Sequence, residues 1–105
     1  MKEITNFLSA IKKASHETST YMTSQLRSEA VASGWDHDLV GGLRVHYGED
    51  GFQVHSHHKH VERVKDFEYG TPDRRPTAAI RRFSNRPKEH GEFFAGRLKK
   101  IVGEL

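Results

Sequence analysis

The sequence predicts a small α+β domain, and three observations carry that prediction. Apolar residues recur every three or four positions across the first third. An Asp-Gly pair separates two alternating runs in the middle. Helical spacing then returns in the last third. A chain of 105 residues has room for one domain, residues 1–105, with a thin core. Six Phe, three Tyr and one Trp suffice to seed it, although charged residues make up 30% of the chain.

The first element is a long helix from about Lys2 to Ala32. Its apolar positions are Ile4, Phe7, Leu8, Ile11, Ala14, Tyr21, Met22, Leu26 and Ala30. Gly34 is placed to cap it in the left-handed conformation. The Ser- and Thr-rich stretch Ser15–Thr20 is where a kink is expected. A helix this long outreaches a small domain, so part of it is expected to pack on a neighbouring subunit. Trp35-Asp36-His37-Asp38 reads as a turn. Two strands follow, over about 40–48 and 51–58, with Asp50-Gly51 at the hairpin and room for a third short strand. Leu43, Val45 and Tyr47 share one face of the first; Phe52, Val54 and Ser56 share one face of the second. Val61, Val64 and Phe67 fit a short helix or an irregular turn. Gly70, Pro72 and Pro76 make 69–76 a loop. Thr77 is placed to cap a short helix over 78–83. Pro87 opens a final helix to about Glu104, with Phe93, Phe94, Leu98, Ile101, Val102 and Leu105 on its apolar face.

Composition excludes several classes. With no cysteine, neither a disulfide framework nor a thiolate zinc site is available. No apolar stretch approaches the roughly 18 residues that span a bilayer. Met1–Ala10 lacks the apolar core of a signal peptide, so export by the general secretory route is not expected. Charge is uneven. Residues 1–73 carry eight Lys/Arg against eleven Asp/Glu, whereas residues 74–105 carry nine against three. Such a change of sign points to a basic face for nucleic acid, to head-to-tail complementarity between copies, or simply to a solvated basic helix.

His46, His55, His57, His58, His60 and His90 raise the question of a metal. His55 and His57 on a strand would share a face. Yet no carboxylate stands at fixed spacing, and Lys59 inside the run repels a cation, so no metal or other cofactor is predicted and the histidines read as surface or interface residues. No serine stands out beside a histidine and an orienting carboxylate, so the chain reads as non-enzymatic. The alternative is a small basic nucleic-acid-binding protein or a toxin-like RNase using its histidines as acid and base. Arg81, Arg82, Arg86, Arg97 and Lys100 are the candidates for sequence-neutral contact with DNA phosphates or with acidic neighbours. Asp36, Asp38, Glu49, Asp50, Asp66 and Glu68 are the acidic candidates for such pairing.

Two further runs carry a resemblance. Val64-Lys65-Asp66-Phe67-Glu68-Tyr69-Gly70-Thr71-Pro72, then Arg75-Pro76-Thr77-Ala78-Ala79-Ile80-Arg81-Arg82-Phe83, resembles a family of small tailed-phage neck and tail-completion proteins, also described as head–tail connector proteins. The Glu68–Thr71 turn matches the family pattern. The stretch after it departs, because typical members read Pro-Phe-Leu-Arg-Pro there. The resemblance implies a ring-forming structural subunit in the virion neck or tail, made in the host cytoplasm, as a hexamer or alternatively a dodecamer. It implies neighbours among other neck proteins, the connector or adaptor, and the tail terminator or tube. It also implies no membrane and no catalysis. Glu68, Tyr69, Gly70, Thr71, Pro72, Arg74, Arg75, Pro76 and Thr77 would form the subunit or partner interface. Gly70 permits a conformation other residues resist, Thr71 bonds the local backbone, and the two prolines stiffen an arm carrying Arg74 and Arg75. A local turn that starts the next helix accounts for the same residues.

Overall fold

The structure is a computed structural model and describes residues 2–48 and 50–104, with side chains from Asn6 onward. It is α+β, as expected. Helix α1 (Lys2–Ala32) is followed by a short α2 (His37–Gly41), strands β1 (Arg44–Gly48) and β2 (Gly51–His55), a 3₁₀ turn (His58–His60), α3 (Val61–Tyr69), α4 (Ala79–Ser84) and α5 (Pro87–Gly103). The molecule measures 58 × 25 × 21 Å, its length set by α1.

The buried residues of α1 are Ala10, Ala14, Thr18, Met22, Leu26 and Ala30, one every four positions. At 100° per residue, a four-residue step drifts about 40° around the helix, so the buried stripe winds through about 200° from end to end. One helix therefore serves two cores. Met22, Leu26 and Ala30 pack with Trp35, Leu39, Leu43, Val45, Val64, Phe67 and Phe83. Ala10 and Ala14 pack with Ile101, Phe94 and Leu98 of α5. Small alanines admit α5 closely, and Tyr21 stacks on Phe93 with ring centroids 4.0 Å apart. Ser15–Thr20 does not interrupt α1. Thr18, Ser19 and Thr20 donate to the carbonyls of Ala14, Ser15 and His16, which occupies the hydroxyls and leaves the helical ladder unbroken. Gly34 takes φ +82°, the left-handed cap expected of it. Leu105, expected on the α5 face, lies outside the described residues.

The middle is shorter in strand than the pattern predicts. Leu39 and Val40 are buried in α2 rather than in β1, and the chain leaves α2 through Gly42, whose N–H bonds Leu39 O, before the strand begins. β2 stops at His55, and His58–His60 is a 3₁₀ turn. The strands pair antiparallel, with Val45 opposite Val54 and Tyr47 opposite Phe52. Among the described residues the sheet has two strands. The place of a third is taken by side chains of α1. Thr23 Oγ1 accepts from Val45 N (2.9 Å), Ser19 Oγ accepts from Tyr47 N (2.9 Å), and Arg27 Nε and Nη2 donate to the carbonyls of Leu43 and Gly41 (3.0 and 3.1 Å). Three residues at four-residue spacing thus satisfy this edge and the carbonyls just before it, which would otherwise stay open.

His90 corrects an expectation: it is buried, not at the surface. It lies against Phe83 and Phe52, ring centroids 4.7 and 5.5 Å away, and Nδ1 has no hydrogen-bond partner among the described residues. Burial pushes its pKa down, with a smaller contribution from the Arg86 charge.

Two predictions follow from this packing. Thr23→Val removes the acceptor for Val45 N and is expected to destabilise by about 1–2 kcal/mol in urea unfolding, while Thr23→Ser restores most of the loss. His90 is neutral in both states above its unfolded pKa of about 6.5, so it adds no pH dependence there. Below that value the unfolded chain takes up a proton that the native ring resists, so stability falls. The urea midpoint is expected to drop between pH 7.5 and 5.5 in the wild type and to drop less in His90→Phe. Parallel curves would assign the acid sensitivity elsewhere.

Candidate functional site

The residues carrying the resemblance form one closed loop between α3 and α4. α3 ends at Gly70, with φ +82° and its N–H donated to Asp66 O (2.9 Å). A Cβ at Gly70 would lie 2.8 Å from Arg74 O and from Pro76 N, so the position excludes any side chain. Thr71 and Arg74 exchange backbone hydrogen bonds (2.9 and 3.2 Å), and Thr71 Oγ1 accepts from Asp73 N. The Arg74 guanidinium lies over the Phe67 ring, 4.3 Å from its centroid. Pro72, Asp73, Arg75 and Pro76 are exposed, and Tyr69 is 76% exposed at the foot of the arm. Beside it, Asp36, Arg63, Asp66, Phe67, Thr71 and Arg74 line a cleft of about 380 Å³. Arg63 bridges its rim, bonding Asp36 and Asp38 at 2.5 and 2.8 Å. The Arg63 hydrogen bond holds the Asp38 carboxyl below the usual carboxylate range.

Two residues of the set face inward. Glu68 is buried, and its two carboxylate oxygens accept from the N–H groups of Ile80 (2.7 Å) and Arg81 (3.0 Å). It caps α4 from twelve residues away. Thr77, expected to be that cap, does something else. Its hydroxyl donates to Phe67 O (2.6 Å) and accepts from Trp35 Nε1 (2.8 Å). The reason is Ala78, which sits in the left-handed region at φ +51°, ψ 37° and turns the chain between Thr77 and the helix. Thr77 N and Ala78 N bond back to the carbonyls of Phe67 and Glu68, closing the loop's base. The structure thus separates an internal clasp (Glu68, Gly70, Thr77) from an exposed arm (Tyr69, Pro72, Arg74, Arg75, Pro76).

The basic candidates divide in the same way. Arg97 bonds Glu17 on α1 at 2.6 Å, and Arg86 bonds Glu29 at 2.8 Å. Arg82 reaches Glu29, the Thr77 carbonyl and Ser33. These three hold α4 and α5 against α1, and their partners are two glutamates absent from the expected acidic set. The hydrogen bond from Arg97 keeps Glu17 below the usual carboxylate range, with help from Lys13 and Lys100. Arg81 and Lys100 are exposed and make no ion pair among the described residues. Among the described residues, no three His, Asp or Glu side chains are grouped to hold a metal. His57 and His58 stack with centroids 4.4 Å apart, while His57 Nδ1 accepts from Lys59 N. No described helix is long and apolar enough to cross a membrane. Compared with known protein families, curated proteins and solved structures, the chain matches none.

The clasp makes a thermodynamic prediction. Glu68→Ala leaves two part-buried N–H groups without their acceptor and is expected to cost about 2 kcal/mol. Gly70→Ala is expected to cost at least as much, because backbone atoms rather than a flexible side chain oppose the new Cβ. Ala78→Gly is expected to gain about 1 kcal/mol by relieving the left-handed residue. Urea unfolding of the three variants checks all of these.

Proposed function

We propose that the chain is a non-enzymatic structural subunit of the tailed-phage neck. It assembles into a ring, six copies or alternatively twelve, that joins or completes the tail at the head–tail interface. It is made in the host cytoplasm and resides in the virion, where it meets other neck proteins, a connector or adaptor, and a tail terminator or tube.

The observation that carries this reading is the exposed arm on its hydrogen-bonded clasp. Pro72, Arg75 and Pro76 stand on a loop whose base is tied by Glu68, Gly70 and Thr77. A surface held this rigidly loses little entropy when a partner binds it. It is the conduct of a docking element, and it falls on the residues that resemble the neck proteins. The far end of the molecule supports the same reading. Phe7 and Leu8 are 47% and 55% exposed where α1 and α5 project beyond the main core. Large apolar side chains at a projecting end suit burial against a neighbouring copy.

Quantitative mass analysis of purified virions tests the reading. Six or twelve copies per particle is the expected result, and finding the chain in producing cells but not in virions overturns it. A paired variant, Tyr69→Ala with Arg75→Ala, is expected to leave stability within about 0.5 kcal/mol while reducing the yield of joined heads and tails.

A further inference from the structure

Three arginines of the basic third, Arg82, Arg86 and Arg97, are committed to glutamates of α1, whereas a separate pair, Arg27 and Arg44, lines a surface groove. This open groove of about 820 Å³ lies between α1 and β1. Its lining includes His16, Thr20, Ser24, Arg27, Ser28 and Arg44, and none of the lining residues is acidic. In a chain with fourteen Asp and Glu, a groove of this size without one is an electrostatic feature.

The donors in the groove are available. Arg44 is exposed on β1 and makes no ion pair or hydrogen bond among the described residues. Arg27 is held in place by the carbonyls of Leu43 and Gly41 through Nε and Nη2, which leaves Nη1 uncommitted. Ser24 and Ser28 are exposed, and their hydroxyls make no bond among the described residues. Lys12 continues the same side of α1 one turn beyond His16 and is also exposed. Small hydroxyl side chains let a ligand backbone come close to the helix, and guanidinium and hydroxyl donors are the groups that contact phosphate.

We propose that this groove binds the phosphodiester backbone of nucleic acid, without reading its sequence. His16 to Ser28 spans about 18 Å along α1. That corresponds to about five steps of a B-form strand at roughly 3.4 Å each. Lys12, Arg27 and Arg44 supply cations for two or three of those phosphates per subunit, so one copy binds weakly and a multimer binds through repetition. Exposed aromatic platforms for stacking bases are missing from the lining, which makes the contact electrostatic. The proposal stands apart from the neck reading: virion copy number tests one, and the following measurement tests the other.

The test is fluorescence anisotropy of a labelled DNA duplex of about 20 base pairs with the full chain, titrated across salt concentrations. The wild type is expected to bind at low salt and to weaken along a linear log–log slope. Arg44→Glu is expected to lose tenfold or more in affinity and to make the slope shallower by about one or two. Ser28→Glu, on the outer face of α1, is expected to shift affinity in the same direction and supplies the answer if Arg44→Glu does not fold. Arg81→Glu, outside the groove, is expected to change affinity less than threefold. The proposal is overturned if the wild type fails to bind at low salt, or if groove variants match wild type. It is equally overturned if Arg81→Glu loses as much as Arg44→Glu, since net charge alone would then explain binding. Unchanged duplex binding together with loss of self-association in Arg44→Glu would assign the groove to an acidic neighbour instead.

Discussion

Every buried backbone N–H and carbonyl needs a partner, and the ends of helices and the edges of a sheet cannot supply their own. A two-stranded sheet leaves one edge of each strand open, and a six-residue α4 leaves its first N–H groups unpaired. Side chains distant in sequence meet both needs. Ser19 and Thr23 of α1 satisfy the outer edge of β1, Arg27 bonds the carbonyls of Gly41 and Leu43 just before it, and Glu68 of α3 satisfies the start of α4. The same bonds fix the arrangement of elements. β1 lies where the hydroxyls of α1 are, and α4 begins where the carboxylate of Glu68 is. Packing then follows, with Met22 and Leu26 against Leu43 and Val45 on one side and Phe83 delivered by α4 on the other.

This explains which parts of the fold were legible in the sequence. α1, α5 and the hairpin announce themselves through spacing, since their patterns are local, whereas Val61, Val64 and Phe67 left α3 open between a short helix and an irregular turn. α2 was hidden because five residues hold too little of a helical period to separate from a strand. The Glu68 cap was hidden because its partners, Ile80 and Arg81, are twelve and thirteen positions away and reach it only after Ala78 turns the chain. Thr77 was the sensible local choice for that cap, and the left-handed Ala78 removed it from reach. His90 was hidden for a related reason. Its neighbours Phe93 and Phe94 mark an apolar face, but only the fold brings Phe52 and Phe83 onto the ring. As for the candidate site, Gly70 and the exposed prolines were legible because a glycine between a helix and two prolines has few other uses. The division of that site into clasp and arm was not, because burial of Glu68 is a tertiary fact.

The charge asymmetry has a physical explanation that composition alone conceals. Glu17 and Glu29 lie on α1, in the acidic part of the chain, and each faces arginines of the basic part. The change of sign therefore serves the monomer's own assembly, as an antiparallel pairing of α1 with α4 and α5. These pairs are part-exposed, so they contribute modestly to stability and more to register, setting which turn of α5 meets which turn of α1. Tyr21 on Phe93 and Ile101 near Ala10 and Ala14 continue the same register toward the free end.

That end is the least well supported part of the fold, and its weakness is informative. Ala10, Ala14 and Ile101 form a cluster of three small or medium side chains, flanked by Phe94 and Leu98, while the main core has twelve buried members. Local opening is governed by buried apolar contact, so the projecting α1–α5 pair opens more readily than the core. A chain could have trimmed such a projection and lost little of its own stability. Keeping it, with Phe7 and Leu8 turned outward, makes sense if the pair is completed by contact with another molecule that buries them. The rigid arm and the apolar projection are then complementary devices. The arm is tied at its base by hydrogen bonds, and the projection carries exposed apolar side chains.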